Sequence, residues 1–283
     1  LIELKFYLTG LGNLAENQEY ITKSIVAADR LGFDGALMPD HYMWGDEIGH
    51  SMKNPYNTLE TWTTLSYLAG KTEHISLGTL VTPLGLRHPG MLAKMLATLD
   101  NLSSGRVVLG VGAGWSQVEF KGYSSWLESA ERVGKTVEAL NVILALWSED
   151  SVTHHGKFYD LEGAVLSPKP TQRPHPRLLF GSQGKRMLRM TGRYGDIYFV
   201  PPWAQAKSME IIAEVRMAAE EASRKVPALM LGVMDSRAYS ASEYANGVEE
   251  AAKIGAEYYA IAFPREDPTA MSRFSNEVMR SYQ

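Results

Sequence analysis

Cysteine is absent from the 283 residues. That excludes disulfide scaffolds, thiolate zinc sites and cysteine nucleophiles, and it fits a cytoplasmic protein. No field of one charge sign stands out, because 28 Lys and Arg face 32 Asp and Glu for a formal charge of −4. Nothing therefore points to nucleic acid or anionic lipid. An anionic small ligand stays open, since backbone dipoles bind phosphate on acidic proteins too. No apolar run approaches a membrane span, and Leu1–Gly10 has neither the basic start nor the long apolar centre of a secretory signal. The seven His are scattered, with no H-x-H after the first strand, no H-E-x-x-H and no G-x-S-x-G elsewhere. Metal-dependent and serine hydrolases are thus disfavoured and no metal site is expected; the adjacent pair His154 and His155 reads as solvated.

What is present is an even alternation of short β-rich apolar runs with longer amphipathic segments, the pattern of a parallel α/β fold. The predicted strands are Lys5–Leu8, Phe33–Met38, Ile75–Val81, Arg106–Val111, Arg177–Phe180, Asp196–Val200, Leu229–Met234 and Tyr258–Phe263. Between them lie helical patterns. Thr58–Ala69 carries Leu59, Trp62 and Leu65 three apart, Pro89 opens a helix that Gly105 ends, and Val133, Val137, Leu140, Leu144 and Trp147 step by four and three. Ser240 and Glu243 form a capping-box signature before the seventh helix. Eight such units over this length predict one domain, 1–283, folded as a (β/α)8 TIM barrel. The stretch Val152–Pro170, running on into Pro176, breaks the rhythm and reads as an inserted hairpin or excursion over the barrel, around residues 150–176.

In such barrels chemistry sits at the C-terminal ends of the strands, so the residues after each strand become candidates. Asp40 and His41 close the second strand; an imidazole beside a carboxylate can orient and protonate a substrate or a heteroaromatic ring, or else Asp40 caps a turn and His41 packs passively. Gly181–Ser182–Gln183–Gly184 closes the fifth strand and opens a helix, where free N–H groups and the helix dipole suit a phosphate, unless the loop is only a tight turn. Gly110, Gly112 and Gly114 are spaced G-x-G-x-G, which is not a dinucleotide fingerprint; they allow close backbone approach to a flat ligand or tight packing at the rim. Trp44, Trp115 and Trp203 fall at strand ends as candidate substrate-pocket walls, whereas Trp62 and Trp147 fall on helix faces and read as core.

Assembled, these residues resemble the bacterial-luciferase-like family of flavin- and F420-dependent oxidoreductases. The likeness runs through LGFDGALMPDH (31–41), ISLGTLVTP (75–83), RHPGMLAKMLATLDNLSSGRVVLGVGAGW (87–115), LLFGSQGKRMLRMTGRYGD (178–196) and AEYYAIAFP (256–264). It implies a (β/α)8 barrel that forms a homodimer, with Asp40 and His41 beside a flavin or deazaflavin ring and His41 moving a proton as hydride is transferred. It also implies a non-prolyl cis peptide within Thr79–Leu80–Val81 supporting the ring, Gly112–Ala113–Gly114 beside the cofactor side chain, and Gly181–Gly184 on its phosphate. The family's sugar-phosphate dehydrogenases have a glutamate directly after the G-x-G-x-G turn. Trp115 stands there instead, so that substrate is not carried over.

Two enzyme readings compete. The first is F420-dependent hydride transfer to or from a small organic molecule, favoured because Lys185, Arg186 and Arg189 could receive the acidic F420 tail. The alternative is an FMN-dependent monooxygenase supplied by a partner flavin reductase. A non-catalytic flavin-binding protein is a third reading, which the Asp40–His41 pair and the glycine loops oppose. The stretches 41–57 and 150–176 are expected to form the variable pocket walls.

Overall fold

Side chains alternate along each strand with period two, and here both faces are apolar, as a sheet covered on both sides requires. The computed structural model describes residues 3–46, 52–234 and 240–282, without the side chains of residues 203, 205, 206 and 241. Its strands are β1 (Lys5–Leu8), β2 (Gly35–Met38), β3 (Ser76–Thr79), β4 (Thr82–Pro83), β5 (Val107–Gly112), β6 (Val152–His155), β7 (Asp160–Ala164), β8 (Arg177–Phe180), β9 (Ile197–Phe199), β10 (Ala228–Gly232) and β11 (Tyr258–Ile261). The helices are α1 (Gln18–Arg30), α2 (Thr61–Ala69), α3 (Pro89–Leu102), α4 (Gln117–Tyr123), α5 (Ser129–Ser148), α6 (Lys185–Tyr194), α7 (Ser208–Glu221), α8 (Ala241–Ile254) and α9 (Ala270–Glu277).

Eight strands pair in parallel in the order β1, β2, β3, β5, β8, β9, β10, β11, and β11 pairs back to β1, closing the barrel. Tyr7, Leu37, Val108, Leu179, Ile197, Met230 and Tyr258 fill its interior. Their neighbours in sequence, such as Phe6, Ala36, Leu109 and Phe180, face the helices and meet Leu92, Leu96, Leu140 and Val215 there. Trp62 and Trp147 are in this outer layer, at 1% and 3% exposure, as their helical spacing predicts. Glycine lets the ring fill its own middle: a Cβ on Gly35 would lie 2.1 Å from the Tyr7 ring, and one on Gly110 would lie 1.9 Å from the Thr79 carbonyl oxygen.

The helix boundaries follow their caps. Pro89 is the first residue of α3 and the His88 side chain accepts from Gly90 N–H at 3.2 Å. Glu60 caps α2 by accepting from the Trp62 and Thr63 N–H groups, so that helix starts three residues later than its apolar pattern begins. Ser240 and Glu243 form the full capping box of α8, and Gly255 ends that helix with φ +85°.

The excursion is an antiparallel hairpin, β6 with β7. It does not reach over the barrel mouth. Glu138 of α5 accepts from the Phe158 and Tyr159 N–H groups and so pins the hairpin tip to the outer helix layer. The expectation that 150–176 walls the pocket is therefore corrected: this segment clasps α3 and α5 on the barrel flank and none of it lines the cavity described below. Among the described residues no helix is long and apolar enough to cross a membrane.

Candidate active site

A cavity of about 690 Å³ opens at the C-terminal ends of the strands. Each wall comes from one strand end: Pro39, His41 and Trp44 after β2, Leu80, Val81 and Pro83 around β4, Gly112 at the end of β5 with Ala113–Trp115 after it, Gly181–Gly184 after β8, Phe199 at the end of β9 with Pro201 after it, and Met234 after β10. Glu119, from α4, completes it. The loops lie together because parallel strands all deliver their C-terminal ends to one face.

His41 is buried, and its ring is fixed on several sides. Nδ1 lies 3.0 Å from Glu119 Oε2, and the other carboxylate oxygen of Glu119 accepts from the Tyr42 N–H at 2.6 Å. The Trp44 ring lies 4.2 Å from the imidazole, tilted by 36°, and the Trp115 ring meets it edge-on at 5.3 Å. Asn13, fully buried, ties this group together. Its side chain accepts from Trp44 Nε1 at 3.0 Å and donates to the His41 carbonyl at 2.7 Å. With Nδ1 so engaged, Nε2 has no partner among the described residues, and the ring lines the cavity.

Asp40 is placed differently. It is 2% exposed and does not line the cavity. Arg87 donates to Oδ1 at 2.5 Å and to Oδ2 at 3.3 Å, and Thr82 donates to Oδ2 at 2.8 Å. Arg87 also reaches Glu60 at 2.7 Å and lies over the Tyr42 ring at 4.7 Å. Burial pushes the Asp40 carboxyl upward against the pull of Arg87, while Arg87 is held further into its charged form by these carboxylates despite its own burial. Thr79, also buried, accepts from the Gly110 N–H at 3.2 Å and joins Thr82, tying β3 to β5 behind the cavity wall.

The peptide between Leu80 and Val81 is cis, within the triplet that the family likeness singles out. The glycines after β5 have packing reasons of their own. A Cβ on Gly112 would lie 2.5 Å from Val81 Cγ2, and Gly114 has φ +77° with Phe120 2.3 Å from its Cβ position. The loop after β8 is of the other kind. A Cβ at Gly184 would meet nothing within 4 Å, and Gly184 is the N-cap of α6. The first N–H groups of that helix have no intrahelical acceptor and point to the end where the cavity lies. An apolar cleft ending at such a helix start fits a flat ring carrying a phosphate-bearing chain.

Of the three cations proposed for an acidic cofactor tail, Arg189 is engaged elsewhere, with Glu221 at 2.5 Å and Glu214 at 3.5 Å. Arg186 donates to the Ala130 carbonyl, and both it and Lys185 are exposed. Trp115, at 49% exposure, stands at the cavity edge. The side chain of Trp203 and the strand-end residues Asp235–Arg237 lie outside the described residues, as does part of the 41–57 loop. Among the described residues no group of three or more His, Asp or Glu side chains is arranged to hold a metal. His155 pairs with Asp160 and Glu162 in the open, and His154 with Glu138.

Glu119 is the residue that the strand-end reading misses, because α4 interrupts the loop after β5. Its signal is Ser116-x-x-Glu119, a helix-start signature. The structure uses only half of it: Ser116 caps the Glu119 N–H, and the Glu119 side chain turns to His41 and Tyr42 instead of back to Ser116.

Known proteins share both sequence and fold with this chain. An FMNH2-dependent dimethylsulfone monooxygenase from Pseudomonas putida is 31% identical over 263 residues, covering 92% of this chain and 66% of that protein. An F420-dependent glucose-6-phosphate dehydrogenase from Microbacterium testaceum is 35% identical over 175 residues, 61% of this chain and 49% of that protein. The chain thus spans about half to two thirds of the length of these curated relatives. An F420-dependent secondary alcohol dehydrogenase, solved with an F420–acetone adduct, superposes with a TM-score of 0.82 at 18% identity, over 100% of both chains, and shows the same fold. The luciferase-like monooxygenase model matches residues 6–280, almost the entire sequence, and the chain belongs to that family.

Proposed function

We propose that this chain is an oxidoreductase that holds coenzyme F420 in the His41 cavity and passes hydride to or from a small organic molecule. The observation that carries the reading is the His41 ring itself, locked at Nδ1 by a buried carboxylate and open at Nε2 on an apolar cleft. When bound, the deazaflavin would supply the hydride chemistry; the chain supplies position, dryness and the proton. Leu80 and Val81 would form the floor under the ring. Gly112–Ala113–Gly114 would lie along the side chain, and Gly181, Ser182, Gln183 and Gly184 with the start of α6 would hold the phosphate. His41 Nε2 would accept a proton from a substrate hydroxyl on oxidation, or return one to the forming hydroxyl on reduction. Trp44 and Trp115, with Trp203, would wall the substrate side and limit water. Asp40 and Thr79 act from behind, by holding Arg87, Thr82 and β5 in place.

A second reading keeps the same cavity for FMN and makes the chain the oxygenase half of a two-component monooxygenase, fed by a flavin reductase. It is favoured by the relative that matches 92% of this chain, named as FMNH2-dependent, and by the engagement of Arg189 away from the loop. Exposed Lys185 and Arg186 beside the phosphate loop support F420, whose tail is acidic. The family likeness supports a homodimer, and the cysteine-free composition supports a cytoplasmic setting.

Titration of the purified chain with F420 and with FMN, followed by fluorescence, tests the proposal. Tight F420 binding with weak FMN binding is expected, with His41→Ala keeping the binding. The reverse preference moves the chain to the monooxygenase reading, and binding of neither refutes both.

A further inference from the structure

We infer that Glu119 is a positioning residue that sets which nitrogen of His41 carries the proton, and that an isosteric change at Glu119 inverts it. The inference deepens the proposed role of His41 and rests on that reading for its functional meaning. Its structural content stands on four atoms. Glu119 is 1% exposed, so its carboxylate must find its partners within the protein. Oε1 is claimed by the Tyr42 N–H at 2.6 Å, a backbone donor that can neither rotate nor lose its proton. Oε2 faces His41 Nδ1 at 3.0 Å. An ionised carboxylate only accepts, so Nδ1 must be the protonated nitrogen of the neutral ring. Nε2 is then left with its lone pair towards the cavity, the state that a proton acceptor needs.

Ring rotation does not offer an escape. Trp44 covers one side of the imidazole, Trp115 meets it at the edge, and Asn13 anchors both the His41 carbonyl and the Trp44 indole. The tautomer is therefore decided by what Glu119 presents. Glutamine at this position has the same shape but one acceptor and one donor group. Its carbonyl must stay on the Tyr42 N–H, because the opposite orientation sets two donors face to face in a buried site. Its amide N–H then points at Nδ1, which becomes an acceptor, and the proton of the neutral ring moves to Nε2. The cavity would then meet an N–H where it had met a lone pair, and His41 could no longer take a proton from a substrate.

The test is a long-range ¹H–¹⁵N spectrum of the ¹⁵N-histidine-labelled chain without cofactor, taken at a pH where the His41 ring is neutral and assigned with His41→Ala. The expected result is a protonated Nδ1 in the wild-type chain and a protonated Nε2 in Glu119→Gln. A wild-type ring protonated at Nε2 overturns the inference without need of any variant, and so does an unchanged tautomer in a folded Glu119→Gln. Titrations with F420 and FMN run alongside read the other proposal: inverted tautomer with neither cofactor bound by the wild-type chain would keep the role of Glu119 and remove the functional reading. Restoration of protonated Nδ1 in Glu119→Asp, whose carboxylate again only accepts, supports charge rather than shape as the deciding property.

Discussion

Replacing Asp40 with alanine separates a scaffold role from a direct cofactor role. The substitution strips Arg87 of the partner that holds it through two nitrogens, and the Arg87 side chain is only 10% exposed. Removing one partner of a buried pair costs about 3–5 kcal/mol, because the remaining charge stays desolvated. Glu60 still touches Arg87 at 2.7 Å and is itself 34% exposed, so the lower end, about 3 kcal/mol, is expected. At about 2 °C per kcal/mol for a chain of this size, Tm should fall by about 6 °C. Urea unfolding measures the loss. Asp40→Ala combined with Arg87→Met should be more stable than Asp40→Ala alone, since the stranded charge is gone. Below the unfolding range, cofactor affinity should stay within about threefold of wild type. A loss under about 1 kcal/mol, or a double variant no better than the single one, would refute the ion-pair account. Collapse of affinity in a fully folded Asp40→Ala would restore the direct role.

Gly110→Ala should destabilise by about 3 kcal/mol or more, since its Cβ position is 1.9 Å from a backbone oxygen of the neighbouring strand. Gly184→Ala should stay within about 1 kcal/mol, because φ is −69° and the site is open; denaturant unfolding of both checks the contrast. Asp29 accepts from the N–H groups of Glu73, His74 and Ile75. Burial alone would raise its carboxyl, but these donors outweigh it and hold it below its ordinary 3.8. Because the folded pKa is depressed, the stabilisation is present above 3.8 and is lost as pH falls through the folded value. Asp29→Ala should therefore cost about 1 kcal/mol near neutrality, and its unfolding midpoint should converge with wild type in strong acid.

Short β-rich apolar runs alternating with helical spacing make the barrel legible in the sequence, because burial on both faces leaves few other ways to pair eight such strands. Arg177–Phe180 and Lys5–Leu8 appear with the boundaries that their patterns predict. Ile75–Val81 does not: β3 stops at Thr79, the Leu80–Val81 peptide is cis, and β4 resumes pairing at Thr82. Periodicity carries no information about peptide isomers. Much of the long 87–115 motif turns out to be scaffold. Arg106 donates to the Ala69 and Ile75 carbonyls and to Thr72, and buried Asp100 accepts from both the backbone and the side chain of Gln172, at the opposite end of the barrel from the cavity. Sequence position cannot separate these residues from site residues when both lie on the same strand–helix unit. The same limit applies to neighbours: Asp40 and His41 are adjacent in the loop after β2, yet one meets Arg87 behind the wall and the other lines the cavity. Glu119 is distant from His41 by 78 positions, and only the fold brings them together.

A crystal structure of the chain soaked with F420, and separately with FMN, tests the central claim most directly. The account predicts a phosphate over Gly181–Gly184 at the start of α6, with the ring against Leu80–Val81 and within reach of His41 Nε2. A cofactor seated elsewhere would contradict it, for instance in the polar cleft at the opposite barrel end lined by Arg173, Arg177, Arg224 and Lys225.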